Sequence, residues 1–239
     1  ICLDQFDFFF IRQDPPFDIN YLTNLYALEL HNSFKKKPLF INHPSSIKNF
    51  TEKIFPFYFH DLMPYSVISS DEDVFKEIQK ENGTLVLKTL YNKGGEGIYK
   101  VQSINQKSLS LFREMTNNHK TAIVIQVYID EVKYGDKRVL LLDGEPMGVV
   151  NRVPQKGEFK ANLHLGGKAF KTSLTKKEKI ICKRLSKTLK KSKLFFVGID
   201  IINEKLTEIN VTSPTGIVQL EELYKTDFCK VFWDKLCSL

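Results

Sequence analysis

The sequence predicts an α/β chain built from α+β lobes, and three stretches carry that prediction. Residues 196–211 read as strand, tight turn and strand: an apolar run, the polar Asn203-Glu204-Lys205, then a second run that ends at Ser213-Pro214. Residues 137–142 and 146–153 form another apolar pair about Asp143-Gly144, a hairpin signal. Residues 175–191 set Ile181, Leu185 and Leu189 on one stripe with lysines around the rest, which is an amphipathic helix.

The other elements follow in order. Residues 6–11 are an apolar strand ending at Arg12, and Pro15-Pro16 forces an extended turn. Asp18 caps a helix carrying Leu22, Leu25, Tyr26 and Leu28 towards Asn32. A strand at 39–42 and a helix near 45–50 complete what reads as the remainder of an N-terminal α/β domain, 1–50. Residues 51–60 are expected to be helical apart from Pro56. Strands at 65–69, 84–88, 97–102 and 121–128 with helices at 71–80 and 104–118 make a small α+β lobe, 51–127. The larger lobe, 128–239, holds the hairpin, a polar glycine-bearing lid at 154–167, the amphipathic helix, the 196–211 pair and helices near 216–224 and 226–237.

Composition narrows the class. At 239 residues, 42% hydrophobic and 26% charged, with 19 Phe, the chain can bury a sizeable aromatic core. The net charge of +7 comes from dispersed lysines without an aromatic-interleaved patch, so no nucleic-acid partner is expected. Four cysteines without a CxxC pair argue against a zinc site or disulfide framework and for reduced thiols in the cytoplasm. No apolar run reaches the ~20 residues of a membrane span, so no membrane partner is expected either. The five histidines lack HxxxH spacing, and nothing resembles a serine elbow or a thiol nucleophile motif.

Several residues could carry chemistry, each beside a plainer reading. Glu208 and Asn210 lie two apart on a strand and share a face. A three-residue turn at 203–205 sets Asp200 opposite Glu208 and Ile202 opposite Leu206, leaving Val197, Ile199, Ile201, Ile209 and Val211 on the core side. A two-residue turn would put Asp200 on the face opposite Glu208, so three is expected. Two carboxylates and an amide oxygen on one face suit Mg²⁺; on these residues alone a solvent-facing polar edge is the favoured reading. Lys88 ends an apolar strand before Asn92-Lys93-Gly94-Gly95-Glu96-Gly97, a loop able to cradle phosphate, although an exposed glycine-rich hairpin is commoner. It is neither a P-loop nor a dinucleotide fingerprint. Arg138 and Arg152 stand within apolar strands, where guanidinium groups snorkel or pair with acids. Ser213 is either a helix cap before Pro214 and Gly216 or a ligand contact.

The run GIDIINEKLTEINVTSPTG (198–216) is joined, in order along the chain, by RQDPPFD (12–18), LVLKTLYNKGGEGIYKV (85–101), GDKRVLLLDGEP (135–146) and NLHLGG (162–167). Together they resemble the signatures of prokaryotic-type glutathione synthetase, an ATP-grasp ligase, over nearly the whole chain. The family's opening N-terminal portion is not matched, and the chain reads as a fragment or truncated form. The resemblance implies an ATP-grasp fold whose two lobes clasp ATP, and ligation of γ-glutamylcysteine to glycine through an acyl phosphate. It implies that Asp200, Glu208 and Asn210 hold Mg²⁺, with Mn²⁺ as the alternative ion. Lys53, Lys88, Gly94 and Gly95 are implied at the nucleotide phosphates, Lys53 being otherwise a plain surface lysine. Gln126, Val127 and Ile129 are implied at the adenine and Asp136 at the ribose. Arg138 and Arg152 are implied at the acyl and phosphoryl groups, and Arg12, Asn162 and Ser213 near the peptide substrate. Thr89, Asn92 and Lys160 replace the family's usual proline, glycine and arginine. A homo-oligomer is expected by the same resemblance. The alternatives are another ATP-grasp carboxylate–amine ligase, or an ATP-binding module without ligase activity.

Overall fold

Asp18 opens the first long helix: its side chain accepts from the Tyr21 N–H at 2.9 Å, and α1 (Ile19–Phe34) buries Tyr21 and Leu25. The computed structural model describes residues 2–92, 96–163 and 166–239. Helix α1 crosses between two parallel strands, β1 (Phe8–Phe10) and β2 (Leu39–Ile41), and is followed by α2 (Pro44–Asn49). The helix expected over 51–60 is 3₁₀ and starts later: Phe55–Leu62 forms it, kinked at Phe59, with Pro56 inside its first turn, and Phe55 and Phe59 pack into the core below.

A four-stranded antiparallel sheet comes next. Strands β3 (Ser66–Ser69), β4 (Leu85–Lys88), β5 (Ile98–Val101) and β6 (Ile123–Val127) lie in the order β3-β6-β4-β5. Helices α3 (Glu72–Asn82) and α4 (Gln106–Met115) cover one face. Phe75 and Phe112 stack at 4.7 Å over Leu85, Leu87, Ile123 and Ile125. Strand alternation turns Val86 and Lys88 to the other face, which lines a cleft.

The five-stranded sheet is antiparallel throughout, in the order β11-β10-β7-β8-β9. Its strands are β7 (Asp136–Leu142), β8 (Glu145–Val153), β9 (Lys168–Lys171), β10 (Phe196–Ile202) and β11 (Lys205–Asn210). Strand β9, KAFK, has no apolar run to announce it and was not expected; it exists by pairing with the edge of β8. Each face carries its own core. Val139, Leu141, Val197, Ile199 and Ile201 pack under α5 (Lys176–Lys191), which starts with a Thr175/Glu178 capping box. Leu140, Leu142, Val150 and Phe196 pack under α6 (Ile217–Tyr224) and α7 (Phe228–Leu236).

The turn that organises the site differs from expectation. Asn203 and Glu204 alone form it, with φ of 47° and 60°, so that Ile202 pairs with Lys205 and Ile201 with Leu206. Asp200 still faces Glu208, because the register shifts there and Thr207 is accommodated as a bulge, its Oγ1 donating to the Asp200 carbonyl at 3.1 Å. The bulge restores the parity that a two-residue turn removes, and Leu206 joins the core instead of facing Ile202.

Candidate active site

Opposed positions on neighbouring strands share a face, so the pairs Asp136/Arg152 and Arg138/Asp200 project from the five-stranded sheet into one cleft. All four are buried or nearly so. Arg138 donates to both oxygens of Asp200, Nε to Oδ1 at 2.5 Å and Nη2 to Oδ2 at 3.0 Å, a planar fork. Arg152 Nη2 lies 2.9 Å from Asp200 Oδ1 and 2.6 Å from Asp136 Oδ2. Gly198 makes room for this: a Cβ there would come within 3.2 Å of Arg138 Cδ and 3.3 Å of Pro214. Burial opposes ionisation of Asp200, but the two arginines outweigh it and hold the carboxyl far below the usual range. Asp136 shares only Arg152, and burial raises it above the usual carboxylate range. Its Oδ1 is buried and has no hydrogen-bond partner among the described residues.

Glu208 and Asn210 complete the oxygen set. Asn210 Nδ2 faces Gly198 O and Asp200 Oδ2, both at 3.3 Å, while Glu208 stands 3.8 Å from Lys53 Nζ. Among the described residues no cluster of three or more His, Cys, Asp or Glu side chains forms; the donors here are two carboxylates and an amide. That all-oxygen chemistry fits a hard divalent cation. Asp200 is already engaged by Arg138, Arg152 and Asn210, so a cation at this carboxylate competes with those bonds.

Lys53 is not a surface lysine. It is 5% exposed, pinned between the Asn92 carbonyl and Glu208. The Asn92 substitution therefore serves as an anchor through its backbone, and the Thr89 N–H bonds the Gly97 carbonyl at 2.9 Å across the loop base. Gly94 and Gly95 lie outside the described residues. Lys88 projects from the end of β4 into the cleft and, among the described residues, makes neither an ion pair nor a hydrogen bond. Burial lowers its pKa, with Glu208 acting in the opposite sense.

The remaining expected residues divide into two groups. Gln126, Val127 and Ile129 line the cleft with Val86, Ile98 and Ile202. Gln126 Nε2 is tied to Ser66 at 2.8 Å, and the Ile129 N–H has no partner among the described residues. Asn162 lines the cleft in the 154–167 segment, where Phe159 meets Tyr128 edge-on at 6.4 Å. Ser213 caps no helix: the N-cap of α6 is Gly216, and Ser213 Oγ donates to Asp14 at 2.7 Å. Arg12 stands behind the cleft wall and donates to the Pro214 carbonyl at 2.8 Å. It reaches the site through that backbone and not directly. Sequence reasoning missed Asp14, Glu52 and Thr212, all of which line the cleft.

The cleft measures about 570 Å³, within the range of small-molecule sites. An apolar wall from the four-stranded sheet, with Lys88 unpaired among the described residues, and a paired charge network from the five-stranded one suit a polyphosphate ligand with an apolar ring. The family model of the prokaryotic glutathione synthetase ATP-grasp domain matches residues 52–225, and that of its N-terminal domain matches residues 1–48. A glutathione synthetase of Mesorhizobium japonicum is 40% identical over 232 residues, 97% of this chain and 73% of the relative. That of Bradyrhizobium diazoefficiens is 42% identical over 235 residues, 98% of this chain and 74% of the relative. Among solved structures, the D-cycloserine synthetase DcsG superposes with a TM-score of 0.72 at 12% identity, covering 99% of this chain and 86% of the other. The Bacillus anthracis D-alanine–D-alanine ligase complexed with ATP gives 0.66 at 15% identity, covering 98% and 79%. These two likenesses show the ATP-grasp fold.

Proposed function

The chain belongs to the prokaryotic glutathione synthetases, ATP-grasp ligases that form glutathione in an ATP-dependent reaction, and on that premise we propose how its cleft divides the work. The carboxylate of γ-glutamylcysteine attacks the γ-phosphorus of ATP, releasing ADP and leaving an acyl phosphate. The amine of glycine attacks the acyl carbon, the bond to phosphate oxygen breaks, and glutathione and phosphate leave. No protein nucleophile is required, so catalysis is positioning and charge neutralisation.

Val86, Ile98 and Ile202 flank the adenine, the Val127 carbonyl and Ile129 N–H read its edge, and the orphaned Asp136 Oδ1 takes a ribose hydroxyl. Lys88 and Lys53, with the loop through Gly94 and Gly95, meet the phosphates. Arg138 and Arg152 offer N–H groups to the acyl and transferring phosphoryl oxygens. Asp200, Glu208 and Asn210 hold Mg²⁺, which when bound screens phosphate charge. Asn162 and Ser213 border the peptide, and the 154–167 segment excludes water from the acyl phosphate. The four free cysteines, three of them exposed, support a reducing, cytoplasmic setting. A homo-oligomer without a nucleic-acid partner belongs to the same proposal.

The observation that carries this reading is the Arg138–Asp200–Arg152 network beside Glu208, in a cleft also faced by Lys88, which is unpaired among the described residues. ADP release from Mg-ATP tests it. Release should require γ-glutamylcysteine and glycine together and disappear in Glu208→Ala. Release that ignores glycine, or survives that substitution, overturns it.

A further inference from the structure

The acids of the cleft wall are not alike. Asp136, Asp200 and Glu208 each stand within 4 Å of an arginine or lysine nitrogen. Glu52 does not. Its Oε1 accepts from Thr212 Oγ1 at 2.6 Å, and its Oε2 has no partner among the described residues. The side chain lines the cleft and is half-buried there. Its backbone is fixed as well, since the Glu52 carbonyl accepts from the Ile209 N–H at 3.2 Å, which ties it to β11 between Glu208 and Asn210. A carboxylate held through one oxygen by Thr212, with the other left open to the cleft, is placed to receive a cation.

The position of Glu52 limits what that cation is. Lys53, its chain neighbour, meets Glu208 and on the ligase reading the phosphates, and Thr212 follows two residues after Asn210. Glu52 thus borders the place where the acyl group is activated. Two ammonium groups enter the cleft: that of glycine, which must end beside the acyl carbon, and that of the γ-glutamyl end, which lies a whole residue away from it. Asp14, held by Ser213 on the side of Arg12 and Pro214, borders the far end.

Resting on the ligase reading above, we propose that Glu52 receives the ammonium group of the incoming glycine and so sets the enzyme's selectivity for its second substrate. It is a pairing of charge with charge, completed by Thr212, which fixes the carboxylate's orientation.

The test compares wild type, Glu52→Gln and Glu52→Asp by initial rates of ADP release, varying one substrate at a time. Hydroxylamine, a nucleophile that is neutral at the assay pH, replaces glycine in a parallel arm that traps the acyl group as a hydroxamate. The KM for glycine should rise at least ~10-fold in Glu52→Gln, the scale of one lost charge-assisted bond. The KM for ATP and for γ-glutamylcysteine should stay within about twofold, well under that single-bond scale. Hydroxamate formation should fall far less than glycine ligation, and Glu52→Asp should lie between the two. An unchanged glycine KM overturns the proposal. So does a rise shared with γ-glutamylcysteine or with the Mg²⁺ requirement, or a parallel loss of hydroxamate. A wild-type protein silent with both substrates would instead sink the ligase reading, which keeps the two failures apart.

Discussion

The two walls of the cleft are built on opposite principles. On the five-stranded sheet every buried charge is already answered: Asp200 by Arg138 and Arg152, Asp136 by Arg152, and Glu208 by Lys53. On the four-stranded sheet Lys88 projects from an apolar strand with no partner among the described residues, and the pairs of that lobe lie outside, as in Glu72–Arg113. The first wall is organised before ligand arrives, at a cost in desolvation that its own pairs offset. The second leaves a cation unpaired among the described residues, and on the proposed function a phosphate supplies its counter-charge. On that proposal preorganisation belongs to the five-stranded sheet and grip to the four-stranded one.

Asp200→Asn breaks this comparison most severely. It leaves two buried guanidinium groups side by side with one acid fewer. Removing one partner of a buried pair costs about 3–5 kcal/mol of stability, and here two pairs share the partner. Ligase activity should fall by ~10³-fold or more, because the donor set and both arginines are disturbed together. Urea unfolding and ADP release on the same sample check it. A variant as stable as wild type would mean that the arginines find other partners, and the wall would not be prewired.

Lys88→Ala sharpens it. Activity should fall by about 10²-fold, chiefly through the KM for ATP, since one phosphate counter-charge is lost. Stability should not fall and should rise slightly, because a desolvated cation without a partner is removed. Activity and stability moving in opposite directions would separate this lysine from Asp200, where they move together. A loss of both would place Lys88 in the fold and not in the grip.

How much of this was legible beforehand depended on whether the cause was local. The strands around Asp200 and Glu208 were readable because apolar residues alternate there, α1 because Asp18 is a sound cap, and α5 because Ile181, Leu185 and Leu189 make one stripe. The turn was misjudged by one residue, since alternation constrains parity and a bulge at Thr207 restores parity without any sequence mark. Strand β9 was invisible because its only support is the edge of β8. The pairing of Arg138 with Asp200 spans 62 positions, so an arginine in an apolar strand could announce a partner but not name it. Glu52 was passed over because its meaning is a missing hydrogen bond, which exists only once the chain has folded.

The smallest effect concerns the outer charges of the small lobe. Glu72 accepts from Arg113 at 2.7 and 3.1 Å, and that bidentate contact, with Lys76, lowers its carboxyl from 4.5 to about 2. A group whose folded pKa is depressed stabilises above its unfolded value, and the contribution is lost as pH falls through the folded one. Glu72→Gln should therefore lower the melting temperature slightly at neutral pH, by an amount that is constant down to about pH 4.5. The gap should narrow between about 4.5 and about 2 and vanish below. High salt should shrink it at every pH, because these side chains meet at the surface. Lys88→Ala, buried in the cleft, should show neither the pH window nor the salt response. A salt-insensitive gap for Glu72→Gln would mean that α3 and α4 are locked by a buried pair, and that the small lobe is organised as the large one is.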